Sequence, residues 1–316
     1  MTMPRMTITL DISCTAIRLL AARGRRAEKW ASAPVQPGMI EQGLILDPEA
    51  LGARIKRLMQ AGNMSGRKVV ASITGLYSIC RLVRLPLLPA KESKGEKGEG
   101  PVMQAAMAAM PVPLEELYVS WQTIDDDEVG PLAFVIGTPR NIVDAQMQAL
   151  RSAGIGARIL NLKAMALIRL LNPQNALIVN MEPDSLDIAL ILDGLPLAMR
   201  TVVQQPDISL EERIESLATN LEQTTLFHDY RSPGRLIGPD LPLFLAGQVA
   251  DDPAVPVMVQ DTIPYPLAPL EIPMEYPRNL PIYQYAVNIG LALAEVSMPR
   301  KMKADEQIPE ETETDE

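Results

Sequence analysis

One strand–turn–strand pattern occurs twice in this chain, about half its length apart, and that duplication constrains the fold more than any other feature. The first copy covers residues 7–20, Thr7-Ile8-Thr9-Leu10-Asp11-Ile12, then Ser13-Cys14-Thr15, then Ala16-Ile17-Arg18-Leu19-Leu20. The second covers residues 176–194, with Ala176 to Met181 as its first apolar run, Glu182-Pro183-Asp184-Ser185 as its turn and Leu186 to Leu192 as its return. Each has apolar β-type runs around a short turn of acidic, amide or hydroxyl residues, which is the signature of a hairpin. Two such hairpins, each opening one half of the chain, predict two similar lobes whose turns face each other across a cleft.

The 316 residues suffice for about two domains and a large core. Aromatic residues make up only 4% of the chain, so Leu, Ile, Val, Ala and 17 Met must supply the packing. The net charge is −10, yet residues 304–316 alone hold seven acids and no base, which leaves the body near −3. That balance excludes nucleic acid and an anionic lipid surface as main partners. The segment 298–316 reads as a disordered acidic tail. Two cysteines, Cys14 and Cys80, make no disulfide framework and fit a reducing compartment. Neither a signal peptide nor a membrane-spanning run is expected, so the reading is a soluble cytoplasmic protein with no direct membrane insertion.

Along the chain, residues 6–35 read as a strand meander turning at Arg23-Gly24-Arg25-Arg26. Asp47-Pro48-Glu49 predicts a helix start, and Leu51, Ile55, Leu58 and Met59 give it an apolar face before a stop near Gly62. Residues 69–74 and 78–85 read as a strand pair, 91–100 as a charged mobile loop, and 102–110 as a short helix. Strands at 118–124 and 132–138, joined by the acidic turn 125–128, and a helix at 141–153 complete a ββαββα-like stretch. The expected division is therefore a first lobe at 1–68 and 158–175, an inserted subdomain at 69–157 and a second lobe at 176–297. Ser209-Leu210-Glu211-Glu212 is a capping-box start for a long helix to about Tyr230. A strand at 241–245 and a Pro-rich connection, with eight prolines between 253 and 281, precede a final helix at 283–296.

The chemistry is first bounded by absences. A single histidine, His228, on a helix excludes His-based triads and multi-His metal sites. There is no G-x-G-x-x-G and no P-loop, and the spacing in Asp125-Asp126-Asp127-Glu128 is not that of a calcium loop. What remains is the pair of hairpin turns. Ser13, Cys14 and Thr15 offer backbone N–H groups and two hydroxyls suited to phosphate oxygens, and Asp11 can orient Mg²⁺ through water.

Taken together, these residues resemble the actin-like ATPase superfamily, and within it the PilM-type proteins of type IV pilus assembly. Asp11, Ile12, Ser13 and Cys14, followed by Arg18, look like the first phosphate loop and its basic strand. Met110-Pro111-Val112-Pro113-Leu114-Glu115-Glu116-Leu117 is similar to a segment of the subdomain that PilM and the divisome protein FtsA carry. Residues 243–247, Leu-Phe-Leu-Ala-Gly, resemble the adenosine-contacting strand and its glycine turn. Tyr285-Ala286-Val287-Asn288-Ile289-Gly290-Leu291-Ala292-Leu293 resembles the closing helix, whose glycine permits close packing. The resemblance implies an α/β fold of duplicated ribonuclease-H-like lobes with an inserted subdomain. It also implies a degenerate nucleotide site at Asp11, Ser13, Cys14, Thr15, Asn180, Ser185 and Gly247, with Asp11 as the Mg²⁺ residue.

The departures from the family pattern point away from catalysis. Where the second phosphate loop has Asp-x-Gly, this chain has Asn180 and Glu182, so a metal-holding charge is lost and a bulky anion faces phosphate. Asn161 and Lys163 stand at the family's acidic positions, Ser13 replaces a glycine, and Gly247-Gln248 replaces Gly-Gly. About eight residues separate Thr201 from Ser209, too few for the subdomain that closes over the base. The resemblance thus implies a scaffold of the pilus inner-membrane platform rather than an ATPase, with ATP and Mg²⁺ not required. Its implied partner is a PilN-like single-pass membrane protein, whose cytoplasmic N-terminal peptide lies in a groove and holds the protein at the membrane face. Self-association stays open. The alternatives are a functional actin-like ATPase or a cytoplasmic component of a type II secretion system.

Overall fold

A computed structural model describes residues 5–85, 99–124, 131–231 and 237–294, with side chains omitted at Glu99 and 227–231. Residues 91–98 of the charged loop expected at 91–100, the acidic turn 125–128, the side chain of His228 and the acidic tail lie outside the described residues, while residues 99–100 belong to a helix rather than to the loop.

In chain order, the first lobe opens with β1 (Met6–Ile12), β2 (Ala16–Arg23) and β3 (Arg26–Pro34). A small hairpin, β4 (Ile40–Glu41) and β5 (Leu44–Ile45), leads to α1 (Pro48–Ala61) and β6 (Lys68–Ile73). An excursion follows through β7 (Ile79–Arg84), α2 (Glu99–Ala109), β8 (Leu117–Ile124) and β9 (Leu132–Pro139). The chain returns as α3 (Arg140–Ser152), β10 (Gly156–Leu162) and α4 (Lys163–Leu171). The second lobe runs β11 (Ala176–Glu182), β12 (Ser185–Leu192), β13 (Leu195–Val203), α5 (Leu210–Arg231) and β14 (Leu243–Ala246). It ends with α6 (Ala254–Thr262), β15 (Leu267–Ala268) and α7 (Ile282–Leu293).

The duplication is visible in the sheets. The first has the order β10-β6-β1-β2-β3 and the second β15-β14-β11-β12-β13, each an antiparallel meander extended by two parallel strands. Helices cover both faces of each sheet. Leu51, Ile55, Ala149 and Leu150 from α1 and α3 join Leu10, Ile17 and Ala71 on one side of the first sheet. Ile214, Leu217 and Val255 of α5 and α6 cover the far side of the second. Between the sheets, α4 and α7 share one apolar core with Leu20 and Val70 of the first lobe and Ile178 and Ile191 of the second. Every residue of α7 from Tyr285 to Leu293 is buried. Gly290 is what lets it lie there, since an added Cβ would collide with the Ala166 carbonyl of α4.

Local signals hold where they were specific. Asp47 caps α1 by accepting from the Ala50 N–H at 2.9 Å, with Pro48 at the first helical position. Ser209 and Glu212 form the reciprocal capping box at 3.2 and 2.8 Å. The Pro-rich connection docks on the first lobe, where Glu275 exchanges backbone hydrogen bonds with Arg25 and Ala27.

The inserted subdomain is smaller than the expected 69–157. Residues 69–73 do not pair with 78–85; they form β6, parallel to both β1 and β10, inside the first lobe's sheet. The helix expected to close the subdomain, α3, packs on α1 in the first lobe's core. The remaining unit, Ile79–Arg140, is a three-stranded antiparallel sheet of order β7-β9-β8 with α2 against it, a βαββ rather than ββαββα arrangement. Within it the Pro-hydrophobic-Pro segment becomes a 3-10 turn over Leu114–Glu116 leading into β8. Residues 204–209 alone connect β13 to α5.

Candidate functional site

Both hairpins present the same cross-strand position to the cleft between them. In the first, Asp11 of β1 lies opposite Arg18 of β2; in the second, Asn180 of β11 lies opposite Asp187 of β12. The two turns touch, because the Cys14 N–H donates to Asp184 Oδ2 at 3.3 Å.

Around these positions is a buried network of charge. Arg18, 1% exposed, donates to both oxygens of Glu182 at 3.0 and 2.9 Å, a bidentate pair that joins one lobe to the other. The same guanidinium donates to Asp11 Oδ2 at 3.3 Å and to Gln248 Oε1 at 3.0 Å. Lys163, the first residue of α4, reaches Asp11 Oδ1 at 3.2 Å, and Ser72 Oγ donates to that oxygen at 2.6 Å. Asp187 accepts from Thr201 Oγ1 at 2.6 Å and from Asn180 Nδ2 at 3.0 Å. Asn288 of α7 ties the network to the core by donating to Thr9 Oγ1 and the Arg18 carbonyl.

The titration shifts follow from this geometry. Burial pushes Asp11 upward, but Lys163, Arg18 and the Ser72 hydrogen bond outweigh it and hold the carboxyl below its ordinary value. Burial opposes the charge of Lys163, and Asp11, Glu182 and Asp187 more than compensate, so its pKa is raised. Burial raises Asp187, with Lys163 opposing. The Cys14 thiol is pushed up to about 12 by burial and then by the Asp184 charge.

The expected site residues are therefore assembled, but as partners of each other. The Ser13 N–H donates to the Ala16 carbonyl, the Cys14 N–H to Asp184 and the Gly247 N–H to the Tyr283 carbonyl. The Ser13 and Thr15 hydroxyls lie 3.2 Å apart and pair with each other. Asn180 serves Asp187, and both oxygens of Asp11 are bound to cations. Gly247 adopts φ +96°, and a Cβ there would overlap the Met181 carbonyl, so its glycine is required by packing. Ser185 lines a cavity of about 300 Å³ beside the turns. A nucleotide with Mg²⁺ needs free N–H donors and an uncommitted carboxylate. Here the Ser13, Cys14 and Gly247 N–H groups are taken, Asp11 is committed to two cations, and Glu182 and Asp184 present like charge to a phosphate, so the residues do not fit that ligand. Among the described residues no group of three His, Cys, Asp or Glu is placed to hold a metal.

Most members of the network were not expected as site residues: Ser72, Lys163, Asp187, Thr201, Gln248, Asn288 and Glu182 as an ion-pair partner were all outside the expected set. One signal marks the first charge pair in the sequence. A lone arginine inside the apolar run Ala16-Ile17-Arg18-Leu19-Leu20 requires buried carboxylates to accept its charge.

Comparison with known proteins gives the same picture of the fold. A solved PilM–PilN type IV pilus biogenesis complex aligns with 92% of this chain and 99% of its own, at TM-score 0.74 and 19% identity. The ethanolamine utilization protein EutJ from Carboxydothermus hydrogenoformans aligns with 92% and 90%, at TM-score 0.51 and 13% identity. At these identities the likeness shows the fold, the two-lobed actin-like α/β arrangement. A sequence search of the curated proteins found no match. The family description "Type IV pilus assembly protein PilM" matches residues 9–206, well over half of the chain. This chain belongs to the PilM family of type IV pilus assembly proteins.

Proposed function

We propose that the chain is a non-catalytic scaffold of the type IV pilus inner-membrane platform. It binds the cytoplasmic N-terminal peptide of a PilN-like single-pass protein and needs no ATP to do so. Family membership supports the pilus setting, and the structural neighbour was solved as a complex with PilN. The observation that carries the non-catalytic reading is the Arg18–Glu182 pair. It places a carboxylate of the protein itself on the guanidinium at the centre of the cleft and joins the lobes without a ligand. Localisation follows from the partner: no described helix is long and apolar enough to cross a membrane, and the chain sits at the inner face through PilN. Calorimetry of the purified protein with the N-terminal peptide of the membrane protein encoded beside it tests this. Micromolar binding, equal with and without ATP and Mg²⁺, is the expected result. Binding that requires ATP, or none under either condition, overturns it.

A further inference from the structure

The charges of the interlobe network do not balance. Four carboxylates, Asp11, Glu182, Asp184 and Asp187, face three buried cations: Arg18 and Lys163 are already committed to Asp11 and Glu182, and Arg213, whose charge acts on Asp184, gives its hydrogen bonds to Gln204 Oε1 and the carbonyls of Pro183, Gln205 and Pro206. Asp187 is held only by neutral donors, Thr201 and Asn180. Asp184 is 8% exposed; its Oδ2 accepts from the Cys14 N–H, while its Oδ1 has no hydrogen-bond partner. A buried carboxylate oxygen without a donor costs free energy that a bound cation recovers.

Both aspartates line the cavity of about 300 Å³ beside the turns. Its volume is that of a small-ligand pocket. One part of the wall is apolar, with Leu44 and Leu46 from the β4–β5 hairpin and Leu76 after β6, and Leu46 is 54% exposed. Such a cavity suits a ligand with a charged donor at one end and hydrocarbon at the other. Among the described residues no group of three His, Cys, Asp or Glu stands ready for a metal ion, and the two aspartates repel an anion.

From this we infer that the cavity binds an organic cation, an ammonium or guanidinium on an apolar stem, with Asp184 as its principal anchor and Leu44, Leu46 and Leu76 against the stem. Lys163 does not close the site to a cation, because its ammonium is paired with Asp11. The same chemistry is offered by a free polyamine and by a lysine or arginine side chain of another polypeptide. The inference does not depend on the pilus reading, and either can fail alone.

The test is methyl NMR of the full chain, titrated at neutral pH and low salt with n-butylamine, n-butylguanidinium, n-butanol and butyrate. The two cations should shift the methyls of Leu44, Leu46 and Leu76 saturably, and neither butanol nor butyrate should do so. Asp184→Asn keeps a side-chain acceptor for the Cys14 N–H, and it should weaken cation binding about tenfold or more, as loss of a charged hydrogen bond does. Equal response to butanol, preference for butyrate, or undiminished binding by the variant overturns the inference. Charge selectivity in the wild-type protein is decisive by itself should the variant not fold. Spermidine and a capped Leu-Arg-Leu peptide form the second arm: the tighter one identifies the source, and binding of neither overturns the site.

Discussion

Replacing Glu182 tests whether the lobes are joined by charge. Glu182→Gln removes the anion but keeps the shape, leaving Arg18 with Asp11 at 3.3 Å and Gln248 at 3.0 Å as its partners. Two charged hydrogen bonds at 3.0 and 2.9 Å are weakened at a guanidinium only 1% exposed. Breaking a buried pair from one side costs about 3–5 kcal/mol. For a chain of this size each kcal/mol moves Tm by about 2–4 °C, so the melting point should fall by roughly 6–20 °C. Arg18→Met should cost a similar amount by stranding Glu182. The double variant Arg18→Met with Glu182→Leu should cost clearly less than the sum, because neither charge is then buried alone. Urea unfolding of the four proteins measures the coupling. A loss under about 1 kcal/mol for Glu182→Gln, or additive single effects, would refute the reasoning and return the interlobe hold to α4 and α7 alone.

Further expectations rest on other parts of the structure. Gly290→Ala drives a methyl into the Ala166 carbonyl and should cost about 1–3 kcal/mol or more, read as a lower urea midpoint. Burial holds the thiols of Cys14 and Cys80 at about 12, so in the folded protein both should react far more slowly with a disulfide reagent at mildly alkaline pH than after denaturation. Asp187 has a raised pKa in the fold, so the native state keeps a proton that the unfolded chain releases near pH 3.9. Its contribution to stability therefore falls as pH rises above that value through the folded pKa, and Asp187→Asn should flatten this part of a stability–pH profile.

How far the chain could be read before its structure depended on the range of the interaction. Helix starts at Asp47 and Ser209 and the two hairpins were legible, because each is decided by residues a few positions apart. The division at 69–157 was not. Residues Val69 to Ile73 are buried without interruption, which suits a central parallel strand covered on both faces, yet sequence neighbourhood paired them with the half-buried strand that follows. Which strand lies beside β6 is settled by β1 and β10, about sixty and ninety residues away.

The site shows the same limit and a way past it. Replaced motif residues read as losses: Lys163 for an acid, Glu182 for a glycine. In the fold they are complementary, since Lys163 neutralises Asp11 and Glu182 neutralises Arg18. Two oddities pointed there without naming the partners. Arg18 lies in an otherwise apolar strand, and Lys163 puts a cation on the first residue of α4, where the helix dipole opposes it. Each misplaced charge is stable only beside a carboxylate. Both Arg18 and Lys163 are matched here. The excess instead lies with the acids, at Asp184 and Asp187, where the network meets the cavity.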